Sequence, residues 1–490
     1  MHLSKTKVLA GLQCDKQLYL RVHHPELAEQ TESPATVTGK VVEAHARQEF
    51  PGAILVERGS AAKDPFALTE QLLQDPAVTT LFEAAIRDAD LALFVDVLQR
   101  RAQGWELTEI KAGTAVKDKH ISDVAIQALA LERAGVAVNR FWLMHINNDF
   151  VYAGQHDYTG LFVREDITEQ VLAHIPYIEH ELERLKTIVA GAQPARHIGS
   201  YCKNPYPCPY QSFCESTETE YPVAYLPNGW RVAQTLLAQG IDDIRDIPAG
   251  ALTSEIHQRV RAVSIAGQAE LLPGASSLLK ALPYPRYYLD FECIQFAIPI
   301  WQGTQPYAQL PFQWSLHIQD DSGQLDHYEF LDITGADPRR AFAENLLAVC
   351  GKHGPIIVYN QSFEKRIIKE LAVSFPDLAG QLLALNKRVF DLLPVVKQHY
   401  YHPAMKGSWS IKSVLSCLVP ELSYKDLGRV QEGMMAQAVY LETITGKLSG
   451  SEKEESQRDL LAYCELDTLA MVKIVENILH WNRKQHTQQK

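Results

Sequence analysis

Two carboxylates stand two residues apart in the run Tyr287-Tyr288-Leu289-Asp290-Phe291-Glu292, which has the apolar character of a strand. Side chains two apart on a strand point the same way, so Asp290 and Glu292 project from one face. Far downstream, Tyr463-Cys464-Glu465-Leu466-Asp467 places a phenol one helical turn before another carboxylate. Between them, Asn360-Gln361-Ser362-Phe363-Glu364 offers a further carboxylate at the start of a helix that follows a short strand. Hard ions such as Mg²⁺ take oxygen ligands, and two of them roughly 4 Å apart activate water and stabilise charge on attacking and leaving oxygens. The chemistry that suits Asp290, Glu292, Glu364 and Asp467 is two-metal hydrolysis of a phosphodiester, with Tyr463 orienting the attacking water.

A second set lies in the N-terminal half. Asp96, in Phe94-Val95-Asp96-Val97-Leu98, precedes Glu109-Ile110-Lys111 on the next strand. Asp96 and Glu109 can hold one or two Mg²⁺ or Mn²⁺ ions, helped by a backbone carbonyl near Ile110. Lys111, on the same strand face as Glu109, can orient or deprotonate water. His45 can add a ligand from a helix, and Gln127, on the helix after the hairpin, can position the lysine or the phosphate. Of the eight cysteines, Cys202, Cys208 and Cys214 are crowded together and Cys14 stands near the start. In a reducing cytosol such a group points to a metal site rather than a disulfide framework. Cys293, Cys350, Cys417 and Cys464 read as small buried hydrophobes.

The elements that must position these residues follow from periodicity and breaks. Helices are expected over residues 8–20, 39–50, 123–134 and 168–190, and strands over 91–98, 105–111 and 141–146. Further on, 356–359 reads as a strand and 363–373 as a helix, an α/β pattern, and the polar end at 482–490 is expected to fray. A chain of 490 residues exceeds one hydrophobic core. Three parts are expected: 1–220, a helical connector at 221–276, and 277–490. In the connector, Leu236 to Ile244 resembles one half of a helix-hairpin-helix, and a plain packing linker is the alternative. A hydrophobic content of 46% with 22% charged residues is that of a soluble globular protein. No apolar run can span a bilayer and Met1-His2-Leu3-Ser4-Lys5 opens no signal peptide, so a cytoplasmic setting without membrane is expected. A net charge of −12 argues against a basic-coated protein for bulk DNA binding, but a basic groove beside acidic metal sites remains compatible with it.

The C-terminal motifs resemble the DnaQ-like exonuclease superfamily, in its tyrosine-containing DEDD branch, on a ribonuclease H-like α/β fold. Asp290 and Glu292 match the first motif, residues 360–364 the second, and Tyr463 with Asp467 the third. Where the second motif normally has aspartate, this chain has Glu364, one methylene longer. Asp391 corresponds to an accessory acidic position, or is a simple cap. The N-terminal order His45, Asp96, Glu109, Lys111, Gln127 resembles the RecB-family and CRISPR-associated exonucleases of the PD-(D/E)xK superfamily, with a restriction-endonuclease-like core. Leu131 stands where relatives commonly carry tyrosine. That resemblance implies a [4Fe–4S] cluster on Cys14, Cys202, Cys208 and Cys214 that staples the chain ends, with a four-cysteine zinc site as the alternative. Together the resemblances imply a two-site Mg/Mn-dependent nuclease. Its expected substrate is single-stranded DNA, with RNA also possible, digested from the 3′ end at the C-terminal site. Tyr206, Tyr210 and Trp409 are available for base stacking or for ordinary packing. The alternative class is a nucleic-acid-binding or scaffold protein with one or both sites inactive, which Glu364 and Leu131 would favour.

Overall fold

The computed structural model describes residues 2–29, 34–58 and 64–485; residues 486–490 of the expected frayed end lie outside them. The protein is mixed α/β, and its contacts divide it into two compact units. The first comprises Met1–Glu218 with Phe296–Tyr307, and the second Thr219–Gln295 with Ala308–Lys490. The segment 221–276 therefore packs within the second unit, and 296–307 belongs with the first although it lies far along the chain. No helix among the described residues is long and apolar enough to cross a membrane.

The first unit is built on a six-stranded sheet in sequential order: β1 (Ile54–Leu55), β2 (Thr80–Arg87), β3 (Ala92–Arg101), β4 (Gly104–Lys111), β5 (Val138–Ile146) and β6 (Phe162–Asp166). The β3–β4 hairpin closes at Gly104, whose φ of +136° is open only to glycine, and a Cβ there would meet the Ala137 carbonyl at 2.9 Å. β4 then pairs parallel with β5, and the crossover between them is the helix Asp118–Arg133. That helix is buried all round from Asp123 to Leu131, and Val124, Leu129 and Leu131 pack into the core formed with Leu93, Val95 and Leu107. Leu131 is fully buried there, so its position serves packing.

The expected helix over 8–20 is two helices, Lys5–Gln13 and Asp15–His23, broken where Cys14 is extended (φ −163°, ψ 122°). The periodicity is helical on both sides, and a single extended residue leaves no trace in it. The strand Thr80–Arg87 and the helix Pro65–Gln74 were not expected from the sequence. Thr80–Arg87 is buried at all but its last residue, so it lacks the alternation that marks a half-exposed strand.

The second unit carries a five-stranded sheet in the order β10 (Leu325–Leu331), β9 (Leu310–Gln319), β8 (Arg286–Ile294), β11 (Ile356–Val358), β12 (Val389–Asp391). β8 runs antiparallel to β9 and parallel to β11, which places Asp290 and Glu292 at the centre of the sheet. A short pair, β7 (Glu270–Leu271) with β13 (Tyr400–Tyr401), joins the connector to the rest of this unit. In the connector, the helix Trp230–Ala238 turns at Gly240 into a single 3₁₀ turn, Ile244–Asp246. A second full helix begins only at Glu255, so no compact hairpin of helices forms around Gly240. The 36-residue helix Gly450–Gln485 lies along β8 and β9, tied by the Gln313 amide, which donates to the Leu460 carbonyl at 2.7 Å.

Candidate metal-binding sites

In the second unit the central strand and the long helix bring three carboxylates together. One oxygen each from Asp290, Glu292 and Asp467 lies within 4.8 Å of the others. Glu292 and Asp467 are buried and Asp290 half-buried. Close packing of buried acids with little countercharge raises their pKa values. Burial, then repulsion from Asp467, Glu292 and Glu364, pushes Asp290 well above the usual carboxylate range, and burial followed by Asp467 does the same to Glu292. Asp467 is pushed by burial up to about 6, against the opposing pull of Tyr424, Lys412 and Tyr463. Three acids held this way form an oxygen-only donor set whose raised pKa values the nearby Lys412 does not cancel, a set suited to a divalent ion.

The helix Gly450–Gln485 sets Tyr463 one turn before Asp467. Burial and the neighbouring carboxylates raise the Tyr463 phenol far above its ordinary value, so it stays a protonated donor. Two residues that the sequence did not mark complete the site. The Tyr424 hydroxyl donates to Asp467 Oδ1 at 2.5 Å. The Lys412 ammonium lies 4.9 Å from the Tyr424 ring centre and 5.2 Å from that of Tyr463, and donates to the Gln431 carbonyl. Neither residue belongs to a recognisable spacing, and only the fold makes them neighbours of the acids. The Cys464 thiol packs 3.8 Å from Asp290 Oδ2 and is buried, as expected for a small hydrophobe.

Glu364 is not among the three converging carboxylates. It lies in the first turn of the helix Ser362–Ser374, 2% exposed, with Oε2 unpartnered. Burial lifts it to about 8, with Asp391 adding to the rise. Asp391 is a cap and a brace. Its carboxylate accepts from the backbone N–H groups of Asn360 (3.0 Å) and Gln361 (3.2 Å), and from that of Leu393 at 3.0 Å. This brace holds Asn360 at φ +79° and so fixes how the Glu364 helix leaves β11.

In the first unit Glu109 and Lys111 share one face of β4. Lys111 Nζ donates to Glu109 Oε1 and to Asp123 Oδ2, each at 2.5 Å. Gln127 Nε2 donates to Glu109 Oε2 at 2.7 Å, while its buried Oε1 has no partner. Asp96 Oδ2 accepts from the Ile110 N–H at 2.9 Å. A second lysine enters from the N-terminal helix, where Lys5 Nζ lies 2.9 Å from Glu109 Oε1 and 3.0 Å from Asp123 Oδ1. Lys5 and Asp123 are site residues that the sequence left unmarked. The serine cap at Ser4, which accepts from the Lys7 N–H, starts the helix in the register that delivers Lys5.

Burial alone would lower the Lys111 pKa, but Asp123 and Glu109 outweigh it and hold the ammonium well above its usual value. Lys111 is therefore placed as a charged donor to Glu109 and Asp123. Burial and the Glu109 charge push Asp96 up to about 7 despite both lysines, while Lys111 and Lys5 overcome burial to keep Glu109 well below its ordinary value. His45 is not brought into a shared group with Asp96 and Glu109. Its Nδ1 is 3.1 Å from the Val41 carbonyl of its own helix, and its ring meets Tyr158 edge-on at 5.3 Å.

Cys14, Cys202, Cys208 and Cys214 line one small cavity, together with Lys16 and Arg196. The break at Cys14 turns its side chain out of the helix line, and Gln13 Nε2 donates to the carbonyls of Tyr201 and Tyr206, each at 2.7 Å. Among the described residues, no three of these sulfurs lie within 4.8 Å of one another. Burial raises the Cys202 and Cys214 thiols, and Cys208 to about 11. Of the three aromatics available for stacking, Tyr210 and Trp409 are buried, and Trp409 Nε1 donates to the Tyr400 carbonyl at 2.8 Å, so both are packing residues. Tyr206 is half-buried, with the Lys119 ammonium 4.2 Å from its ring centre.

Residues 287–410 match a family model described as a domain of unknown function, DUF2779. The match takes in Asp290, Glu292 and Glu364 and stops short of Tyr463 and Asp467. The chain is similar to "Uncharacterized protein UU173" of Ureaplasma parvum, 29% identical over 229 residues, which is 42% of this chain and 33% of that protein. It is also similar to "Uncharacterized protein MG366" of Mycoplasma genitalium, 28% identical over 210 residues, 39% of this chain and 31% of that protein. The chain thus spans about a third of the length of the curated relatives it matches.

Proposed function

We propose that the protein is a metal-dependent nuclease with two sites, acting on single-stranded nucleic acid, DNA in the first place. The observation that carries this reading is the convergence of Asp290, Glu292 and Asp467 within 4.8 Å on a central strand and a helix. The C-terminal unit would be a ribonuclease H-like exonuclease of the tyrosine-containing DEDD type, digesting from the 3′ end. Asp290, Glu292 and Asp467 would hold Mg²⁺ or Mn²⁺, with Glu364 as an outlying acid. The bound ions would supply activated water and charge neutralisation at the phosphate. Tyr463, kept protonated, orients the water, Tyr424 fixes the Asp467 carboxylate, and the Lys412 ammonium adds positive charge where the phosphate must come.

The N-terminal unit would be a RecB-like PD-(D/E)xK nuclease. Asp96 and Glu109 fit a divalent ion in donor chemistry, and the unpartnered Gln127 Oε1 supplies a further buried acceptor. Lys5 and Lys111 are the charge partners of the acids on this strand and its neighbouring helix. His45 is left out of this ligand set. For the cysteines, a single Zn²⁺ with bonds of about 2.3 Å would draw all four sulfurs to about 3.8 Å of one another. The four cysteines line one cavity with Lys16 and Arg196, whose positive charge suits the negative charge of a [4Fe–4S] cluster. Its role would be to staple the 202–214 loop to the N-terminal helices.

The test is digestion of end-labelled single-stranded DNA and RNA with Mg²⁺ or Mn²⁺, with chelator as control. Lys111→Ala and Asp290→Ala should each abolish one activity. Unaltered degradation in both variants would refute the assignment of both sites.

A further inference from the structure

We propose that His317, His327 and Glu465 form a separate binding site for a transition-series divalent cation, with Zn²⁺ the best match. His317 and His327 are direct partners across the antiparallel β9–β10 pair, so their side chains share one face of the sheet. Their ring centres are 4.5 Å apart. One ring nitrogen from each and one Glu465 carboxylate oxygen all lie within 4.8 Å of one another, and His327 Nδ1 is 3.8 Å from Glu465 Oε1.

The hydrogen bonds around this trio fix where the imidazole protons lie. The Thr468 hydroxyl donates to the Glu465 carbonyl at 2.9 Å, which uses its only proton. It must therefore accept from its two other partners, Ser315 Oγ at 2.8 Å and His317 Nδ1 at 2.8 Å. Ser315 has then spent its own proton on Thr468 and must accept from His327 Nε2 at 2.9 Å. The chain of donors runs one way only. It leaves His317 protonated on Nδ1 and His327 on Nε2, so His317 Nε2 and His327 Nδ1 are bare lone pairs. Ligating histidines are prepared in this manner, with the far nitrogen anchored by an outer partner. Ser315 and Thr468 are fully buried and have no other role in the proposed hydrolysis.

Two imidazoles and one carboxylate, with a fourth position open to water, match Zn²⁺ and exclude Mg²⁺, which favours oxygen donors. The nearby Lys473 ammonium is held by Glu476 Oε2 at 2.9 Å. Glu465 and Asp467 are two residues apart on one helix and point to different sides, so this centre is distinct from the carboxylate trio. A bound ion would pin β9 and β10 to the helix that presents Tyr463 and Asp467. Metal binding is read directly, so the outcome does not depend on whether the protein is a nuclease.

The experiment is a Zn²⁺ titration of the chelator-stripped full chain against a chromophoric chelator. Wild type is compared with Glu465→Gln, His327→Ala and Thr468→Val. The expected result is one Zn²⁺ equivalent fewer in Glu465→Gln and His327→Ala than in wild type. Thr468→Val should bind that equivalent about 10- to 100-fold more weakly. Glu465 is 47% exposed, so Glu465→Gln should melt with wild type in the absence of zinc and carries the test if His327→Ala does not fold. Unchanged zinc stoichiometry and affinity in Glu465→Gln would overturn the site.

Discussion

Glu364 and Asp290 are both acids of one unit, yet the structure gives them different standing. Asp290 shares a group with Glu292 and Asp467, whereas Glu364 stands outside it with an unpartnered oxygen. Asp290→Asn should therefore cost C-terminal activity well beyond the ~10–100-fold typical of losing an outer partner, and Glu364→Gln should fall within that range. Equal losses in kcat/KM would put Glu364 in the ligand shell. Lys412 offers a second test at this scale, because its charge helps hold Asp467 down at about 6. Lys412→Ala removes that pull, so Asp467 needs a higher pH to ionise. The acidic limb of the pH–rate profile should then move to higher pH, and an unmoved limb would show that Lys412 does not act on the acids.

At the scale of elements, motif-bearing segments were the legible ones. The β3–β4 hairpin, the helices at 118–133 and 168–190, and the β11 strand with its following helix all carry strong periodicity between clear breaks. Asp290, Glu292, Tyr463 and Asp467 could be paired because strand and helix periods state which side chains share a face. Lys5, Tyr424 and Lys412 could not, since each reaches its site through tertiary packing from an element with no motif of its own, and Asp123, one turn before Gln127 on the same helix, belongs to no marked spacing. The break at Cys14 was equally hidden, and it is what opens the thiol toward the 202–214 loop. Tyr206, within that loop, lies close enough to the Lys111–Asp123–Glu109 network to exchange charge effects with it. Cys14→Ser should thus bleach any iron–sulfur absorption and lower both the melting temperature and N-terminal activity, while C-terminal activity persists. A colourless wild-type protein containing zinc would contradict the cluster.

For the whole molecule, a net charge of −12 is compatible with the proposed function, because the acid clusters of the two units would each hold divalent ions. The membership of 296–307 in the first unit was beyond sequence reading, because nothing local marks a segment that packs with residues some 150 positions away. The buried acids also set a pH dependence. Burial pushes Asp467, Asp96 and Glu364 up to about 6, 7 and 8, above the ~4 of unfolded carboxyls. The folded state then binds more protons above about pH 4, so this stability is complete below ~4 and is lost as pH rises from there through about 6 to 8. Metal-free protein should melt at progressively lower temperature across that window. Mg²⁺ or Mn²⁺ should raise Tm more at pH 8 than at pH 6.

The most direct measurement is a time course on 5′-labelled single-stranded DNA with Mn²⁺, using Lys111→Ala protein so that only the C-terminal site works. The expected result is a ladder of labelled strands shortening from the 3′ end, abolished by adding Asp290→Asn. Intact substrate, or a ladder that survives Asp290→Asn, would contradict hydrolysis at the Asp290–Glu292–Asp467 site.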